Sequence, residues 1–276
     1  MIEGGYIDTP EPTECLLTGK RICSNKNGIE LMHKFLQQRN IDVIKNAEFI
    51  LDKTKQHLGV DSEVAIWKHD KFKRFVGERR SDHAINNWFK PEGPSDSNKL
   101  LNNKNIDDLL SRWSRNSQEL FGKKFYHIPF QMIDFKKYNT ELETLDLQNL
   151  INENYDCFGV VLNTDVSTGP GKHWFCIYGT LTKNKCTIEF FNSSGNPPRK
   201  EIEVWMKEKE IELRDNDIKV DIVRSAPLRL QYSDTECGVW SLMYIKSRLE
   251  NKPANWFYKV KADDFDMLNL RKHLFL

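Results

Sequence analysis

Four short runs rich in β-branched and aromatic residues, Phe158 to Leu162, Trp174 to Leu181, Cys186 to Phe191 and Ile218 to Val223, set the texture of the chain's second half. Runs of this length and composition suit strands on a pleated, half-buried surface. Between the last two lies Pro198 to Leu213, where Ile202, Trp205, Met206 and Leu213 give one apolar face to an otherwise charged helix. Cys237 to Leu249 then carries Val239, Trp240, Leu242, Met243, Ile245 and Leu249, and reads as a largely buried helix. The order strand, strand, strand, helix, strand, helix predicts an α+β core.

The N-terminal third has a different period. Ile29, Leu31, Met32, Phe35 and Leu36 recur at near-helical spacing, Val43, Ala47, Ile50 and Leu51 continue it, and Gly28 to about Trp88 reads as helices. Phe89 to Asn98, FKPEGPSDSN, breaks that pattern with two prolines and a glycine. A chain of 276 residues suits one large domain or a core with an appendage. The break therefore predicts an N-terminal helical arm over residues 1–97 and a core over 98–276. Asn105 is the expected N-cap of a helix carrying Ile106, Leu109, Leu110 and Trp113, whereas Leu142 to Glu153 shows no clear pattern.

Charge excludes some partners. With 41 basic against 40 acidic side chains there is no whole-protein field for nucleic acid or a membrane surface, and the arm, with 15 of each, is neutral in sum. No segment approaches the ~18 consecutive apolar residues of a membrane span, and no basic start leads into an apolar run, so a soluble protein without membrane insertion is expected. The six cysteines include no Cys-x-x-Cys pair and the histidines do not sit at ligand spacing from them, so free thiols in a reducing compartment, and no metal or other cofactor, are the expectation.

One cysteine has the setting of a nucleophile. A thiol attacks a carbonyl as thiolate, which needs a base in hydrogen-bond reach and a positive electrostatic environment. In Asp234-Thr235-Glu236-Cys237-Gly238 a polar turn precedes an apolar helix, so the Cys237 sulfur sits at a helix N-terminus, and Gly238 has no side chain to obstruct a substrate carbonyl. Cys157 and Cys186 begin strands. Cys176 lies three residues past His173, an odd offset that sends it to the opposite face of the sheet. His173 opens a strand after the turn formers Thr168-Gly169-Pro170-Gly171-Lys172, and Asn192 closes the next one. If Thr182-Lys183-Asn184-Lys185 joins those strands as a hairpin, the start of the first meets the end of the second, and the Asn192 carboxamide can hold the His173 ring. Gln231, six residues before Cys237, offers an amide donor that could join the Cys237 backbone N–H as an oxyanion hole, and spacing alone fits an exposed strand-end glutamine equally well.

The order His-Trp, Asn, Gln, Cys-Gly, within LNTDVSTGPGKHW, IEFFNSSGN and TECG and accompanied by PFQMIDF and LLNNKNID, resembles the clan of papain-like cysteine proteases that includes the SUMO-specific and adenovirus proteases. The resemblance implies a central mixed sheet flanked by helices and a Cys237, His173, Asn192 catalytic set. It also implies that Trp174 narrows a substrate groove suited to small residues, and that cleavage follows Gly-Gly in structural polyprotein precursors of a virus, in host cytoplasm and in the virion. Two positions depart from the clan's pattern. Its usual aspartate is Asn192, and Asp234 stands just before Thr235-Glu236-Cys237, where a carboxylate cannot donate to an oxyanion.

Alternatives follow from the same resemblance. A deconjugase acting on SUMO or ubiquitin-like tails also meets Gly-Gly. An acyltransferase of the clan ranks lower, since no inositol-phosphate pocket of clustered lysines is evident near the core, and a dead binding module is disfavoured because each catalytic position holds a competent residue type. Lys68 to Arg80 carries six basic residues among Phe72 and Phe75, which admits nucleic acid or an acidic partner; an amphipathic helix with a solvated basic face is the plainer reading. Gly4-Gly5-Tyr6 would permit self-trimming.

Overall fold

The computed structural model describes residues 22–95, 99–225 and 227–276, so the Gly4-Gly5 sequence and Cys15 lie outside the described residues. The chain divides into one compact unit of Met1–Pro91 with Leu276 and another of Glu92–Phe275.

The first unit is helical: α1 (Lys26–Gln37), α2 (Ala47–Leu58), α3 (Glu63–Lys68), α4 (Asp70–Val76) and α5 (Glu78–Trp88). Side chains of Asn25, Asn46 and Ser62 accept backbone N–H groups at the starts of α1, α2 and α3, as polar N-caps do. Ile29, Met32, Phe35, Leu36, Ile50, Trp67 and Phe72 form its core. The stretch Lys68 to Arg80 is not one amphipathic helix. His69 and Gly77, at φ +91°, divide it among three helices. Cys23 is disulfide-bonded, which corrects the expectation of free thiols throughout. A disulfide requires two Cα atoms within about 7 Å, and spacing along the chain does not report that.

The second unit runs α6 (Asn103–Arg115), α7 (Ser117–Phe121), β1 (Phe125–His127), β2 (Gln131–Met132), α8 (Leu147–Asn152), β3 (Cys157–Asn163), β4 (Trp174–Thr180), β5 (Lys185–Phe191), α9 (Lys200–Arg214), β6 (Lys219–Arg224), α10 (Cys237–Leu249), α11 (Trp256–Val260) and α12 (Asp264–Leu274). The N-cap of α6 is Asn102, three residues before the expected Asn105. The two asparagines form a reciprocal capping box in which each side chain accepts the other's backbone N–H, and Asn105 holds its third position.

The strands form one mixed sheet in the order β1-β3-β4-β5-β6, with β2 also on β3. β3, β4 and β5 are antiparallel, while β1 and β2 run parallel to β3 and β6 parallel to β5. Alternation sorts the side chains. Val161, Trp174, Cys176, Tyr178 and Phe191 pack with α6 and α10 on one face. Val160, Phe175, Ile177, Ile188 and Phe190 pack with Leu150, Trp205 and Met206 on the other. The sheet is thus covered by helices on both faces. Among the described residues no helix is long and apolar enough to cross a membrane.

Candidate active site

Cys237 is the first residue of α10 and is only 2 % exposed. Burial pushes its thiol above the ordinary cysteine value, and the backbone N–H groups of Trp174, Gly238 and Cys237 itself oppose that shift by pointing at the sulfur. The contact with Trp174 matters most for the geometry, because it brings the N-terminus of α10 against the entry to β4, one residue from His173.

His173 is held from the far side. Register on β4 and β5 runs Cys176↔Phe191, so one step further Asn192 faces Phe175 and lies on the same side of the sheet as His173. The His173 Nε2 and the Asn192 Oδ1 are 2.8 Å apart. That oxygen also accepts the Ser194 backbone N–H at 3.1 Å and the Ser194 hydroxyl at 2.8 Å. A backbone N–H can only donate, so the atom facing His173 is the amide oxygen and His173 Nε2 must carry the proton. The lone pair is left on Nδ1, where a base needs it. Burial pushes the His173 ring below the ordinary histidine value, with the Asn192 hydrogen bond acting the other way. Burial thus acts on each of the two groups in the direction of its neutral form.

The loop before His173 is tied down by two buried side chains. Asn163 Oδ1 accepts the backbone N–H of Asp165 and of Lys172, each at 2.9 Å, and Asp165 accepts those of Val166 at 3.0 Å and Gly171 at 3.2 Å. Gly171, at φ +87°, makes the sharp turn this requires.

Gln231 is buried rather than an exposed strand end. Its side-chain oxygen accepts the Ser193 hydroxyl and its Nε2 donates to the Ser233 carbonyl, both at 2.7 Å. One amide proton is thereby spent on Ser233, in the loop that leads into Cys237. Asp234 is exposed. Gly238 does not open on free space, since a Cβ there would meet Leu101 at 3.1 Å. Trp174 donates its indole N–H to the Leu101 carbonyl at 3.0 Å and stands edge-on to Phe130. Leu101, Phe130, Met132, Gly171 and Trp174 line a groove of about 380 Å³. The remaining free thiols do other work: Cys157, Cys176 and Cys186 are buried in the sheet.

Sequence reasoning missed the brace behind Cys237. Asp264 accepts the backbone N–H groups of Tyr232 and Ser233, each at 2.6 Å, and the Trp240 indole N–H at 2.9 Å. Arg271 pairs through Nε and Nη2 with both carboxylate oxygens of Glu236, at 2.9 to 3.1 Å, and donates to the carbonyls of Thr235 and Lys99. Both side chains come from α12. The Asp263 capping box marks that helix in sequence, but nothing local links it to a loop about 30 residues earlier.

A thiol at a helix N-terminus touched by the first backbone N–H of β4, an imidazole one residue earlier whose tautomer is fixed by a carboxamide, and a mixed sheet covered by helices are the parts that attack on a peptide carbonyl uses in the class of papain-like cysteine proteases. Comparison with known proteins is consistent with that class. Residues 133–276 match the Ulp1 protease family, C-terminal catalytic domain. The chain is 32 % identical over 97 % of its length, and 96 % of the relative's, to a cysteine protease of African swine fever virus isolate Tick/Malawi/Lil 20-1/1983. It has the same identity and coverage to a protein named as a SUMO-1 cysteine protease in isolate Tick/South Africa/Pretoriuskop Pr4/1996 of that virus. The crystal structure of the African swine fever virus protease superposes with a TM-score of 0.73 at 29 % identity, covering 95 % of this chain and 94 % of that one. The chain belongs to the Ulp1 protease family and is a cysteine protease.

Proposed function

We propose that this chain is a viral cysteine endopeptidase that processes structural polyprotein precursors after Gly-Gly, acting in host cytoplasm and in the virion. Cys237 is the nucleophile, His173 its base and Asn192 the group that orients the base. As the sulfur attacks the carbonyl carbon, its proton passes to His173 Nδ1. The Cys237 backbone N–H and the other amide proton of Gln231 receive the developing oxyanion. His173 then protonates the leaving amine, and water hydrolyses the thioester. The carrying observation is the assignment of the proton on His173 Nε2, which follows from the Ser194 backbone donor and leaves Nδ1 as acceptor. The groove beside Trp174 and Gly171 supports a preference for glycine ahead of the cut.

The reading is tested by incubating the full chain with a peptide mixture and identifying the new termini by mass spectrometry. Gly-Gly-Xaa sites are expected to dominate, and cleavage indifferent to the residue ahead of the cut would remove the specificity. A second reading, deconjugation of SUMO-like tails, draws on relatives named as SUMO-1 proteases. Equal or faster cleavage of a SUMO fusion relative to an unfolded Gly-Gly-Xaa peptide would favour it.

The pH profile follows from the same geometry. The base works when His173 is neutral, and burial lowers its pKa, so the acid limb of kcat/KM is expected below the ordinary histidine value. Asn192→Asp puts a carboxylate where the amide oxygen sits and keeps both Ser194 donors satisfied. The added negative charge stabilises imidazolium and should move the acid limb up by about one unit or more. Activity is then lost first at low pH and retained at alkaline pH. An unmoved limb in Asn192→Asp would mean that the titrating group is not His173.

A further inference from the structure

The arm unit contains a cavity of about 570 Å³ whose lining includes Lys34, Arg79, Arg80, His83, Trp67 and Trp88. Its apolar wall is fixed. Trp67 is buried and donates its indole N–H to the Ser24 hydroxyl at 2.9 Å, and the Trp88 ring stands perpendicular to it at 5.2 Å. Both indoles close over α1 at Gly28, where a Cβ would meet Trp88 at 3.0 Å and Trp67 at 3.1 Å. The His83 ring in turn meets Trp88 edge-on.

The polar wall is charged and unspent. Other cations of the Lys68 to Arg80 run are engaged, Lys73 with Asp82 at 3.1 Å and Arg74 with the Asp70 carbonyl. Lys34, Arg79 and Arg80 form no ion pair among the described residues, and Glu30 is the one carboxylate among the described lining residues. Arg79 and Arg80 also lie in the first turn of α5, the positive end of its dipole, where cations are disfavoured. Glu78 offsets part of this, but Gly77 supplies no side-chain cap, so the leading N–H groups add to the positive field. An anion in the cavity would relieve all of these at once.

We propose that the arm cavity binds a nucleoside phosphate, with the phosphate on Arg79, Arg80 and Lys34 and the base against the Trp88 wall. The volume lies within the ~300–1,000 Å³ of small-ligand sites. Two arginines present forked donors that match phosphate oxygens, and a half-buried indole gives a planar base a stacking surface. An acidic peptide would neutralise the same cations but leave that rigid aromatic wall without a partner. The chemistry is shared by a free nucleotide and by one unit of a single-stranded nucleic acid.

The test is calorimetric titration of the full-length chain with AMP, inorganic phosphate, a single-stranded oligonucleotide and an acidic peptide of matched charge. Saturable binding of AMP at least tenfold tighter than that of inorganic phosphate is expected. Both arginines are exposed, so Arg79→Ala with Arg80→Ala should leave the unfolding midpoint in place while weakening AMP at least tenfold. Trp88→Leu should erase the preference for AMP over phosphate. An oligonucleotide that outbinds AMP, with a steeper salt dependence, identifies nucleic acid as the source; equal affinity identifies the free nucleotide. No saturable binding of either, binding unchanged in the double arginine variant, or tighter binding of the acidic peptide would overturn the proposal.

Discussion

Cys237→Ala is expected to reduce peptide cleavage by at least about a thousandfold, because covalent attack has no other nucleophile at that position. His173→Ala should cost about as much, and the double variant no more than either alone, since sulfur and base act as a unit. Neither change should unfold the protein. Removing one buried sulfur costs on the order of 1 kcal/mol, and Asn192 Oδ1 keeps both Ser194 donors when the imidazole is gone. The control is Cys176→Ala. That thiol is fully buried against α10, and burial holds it well above the ordinary cysteine value, so its removal touches packing and not chemistry. Cleavage assays at saturating substrate, alongside thermal unfolding of each variant, distinguish these outcomes. Full activity in Cys237→Ala would end the assignment, and a loss in Cys176→Ala as deep as that in Cys237→Ala would show that packing, not thiol chemistry, is being read.

What the sequence discloses and what it hides divide along the range of the interactions. β3, β4, β5, α9 and α10 each announce themselves by composition within their own length, and they fall where the apolar runs lie. β1 and β2, of three and two residues, carry no such signal and exist because β3 offers a parallel edge to pair with. The start of α6 lies three residues from its expected place because Asn102 and Asn105 are both good caps, and only their reciprocal geometry decides between them. In the site, His173 and Asn192 are legible as neighbours because a hairpin converts spacing into proximity. The α12 contacts are not, because Asp264 and Arg271 reach the Cys237 loop through tertiary packing alone. Gln231 is singled out by its spacing from Cys237, but that spacing does not disclose its burial or the Ser193 and Ser233 groups that hold it.

Arg271→Ala should be the most damaging change outside the reacting groups. The guanidinium is fully buried and is the ion-pair partner of Glu236, itself buried and the N-cap residue of α10. Deleting it leaves a carboxylate in the interior without a counter-charge, a situation that costs about 3–5 kcal/mol. For a domain of this size that corresponds to an unfolding midpoint lower by roughly 6 to 20 °C. Activity should fall further than stability explains. Glu236 already acts to raise the Cys237 thiol, and without Arg271 that charge is no longer balanced, so the thiolate becomes harder to form. The Thr235 and Lys99 carbonyls lose their donor as well, which loosens the segment that sets the sulfur's position. Combining Arg271→Met with Glu236→Leu separates the two effects, because an apolar pair of similar volume removes the orphaned charge. The double variant should recover a substantial part of the midpoint and little of kcat. Recovery of both in parallel would reduce Arg271 to a purely structural role, while an unchanged midpoint in Arg271→Ala would mean that solvent reaches Glu236 and the brace does not exist as described.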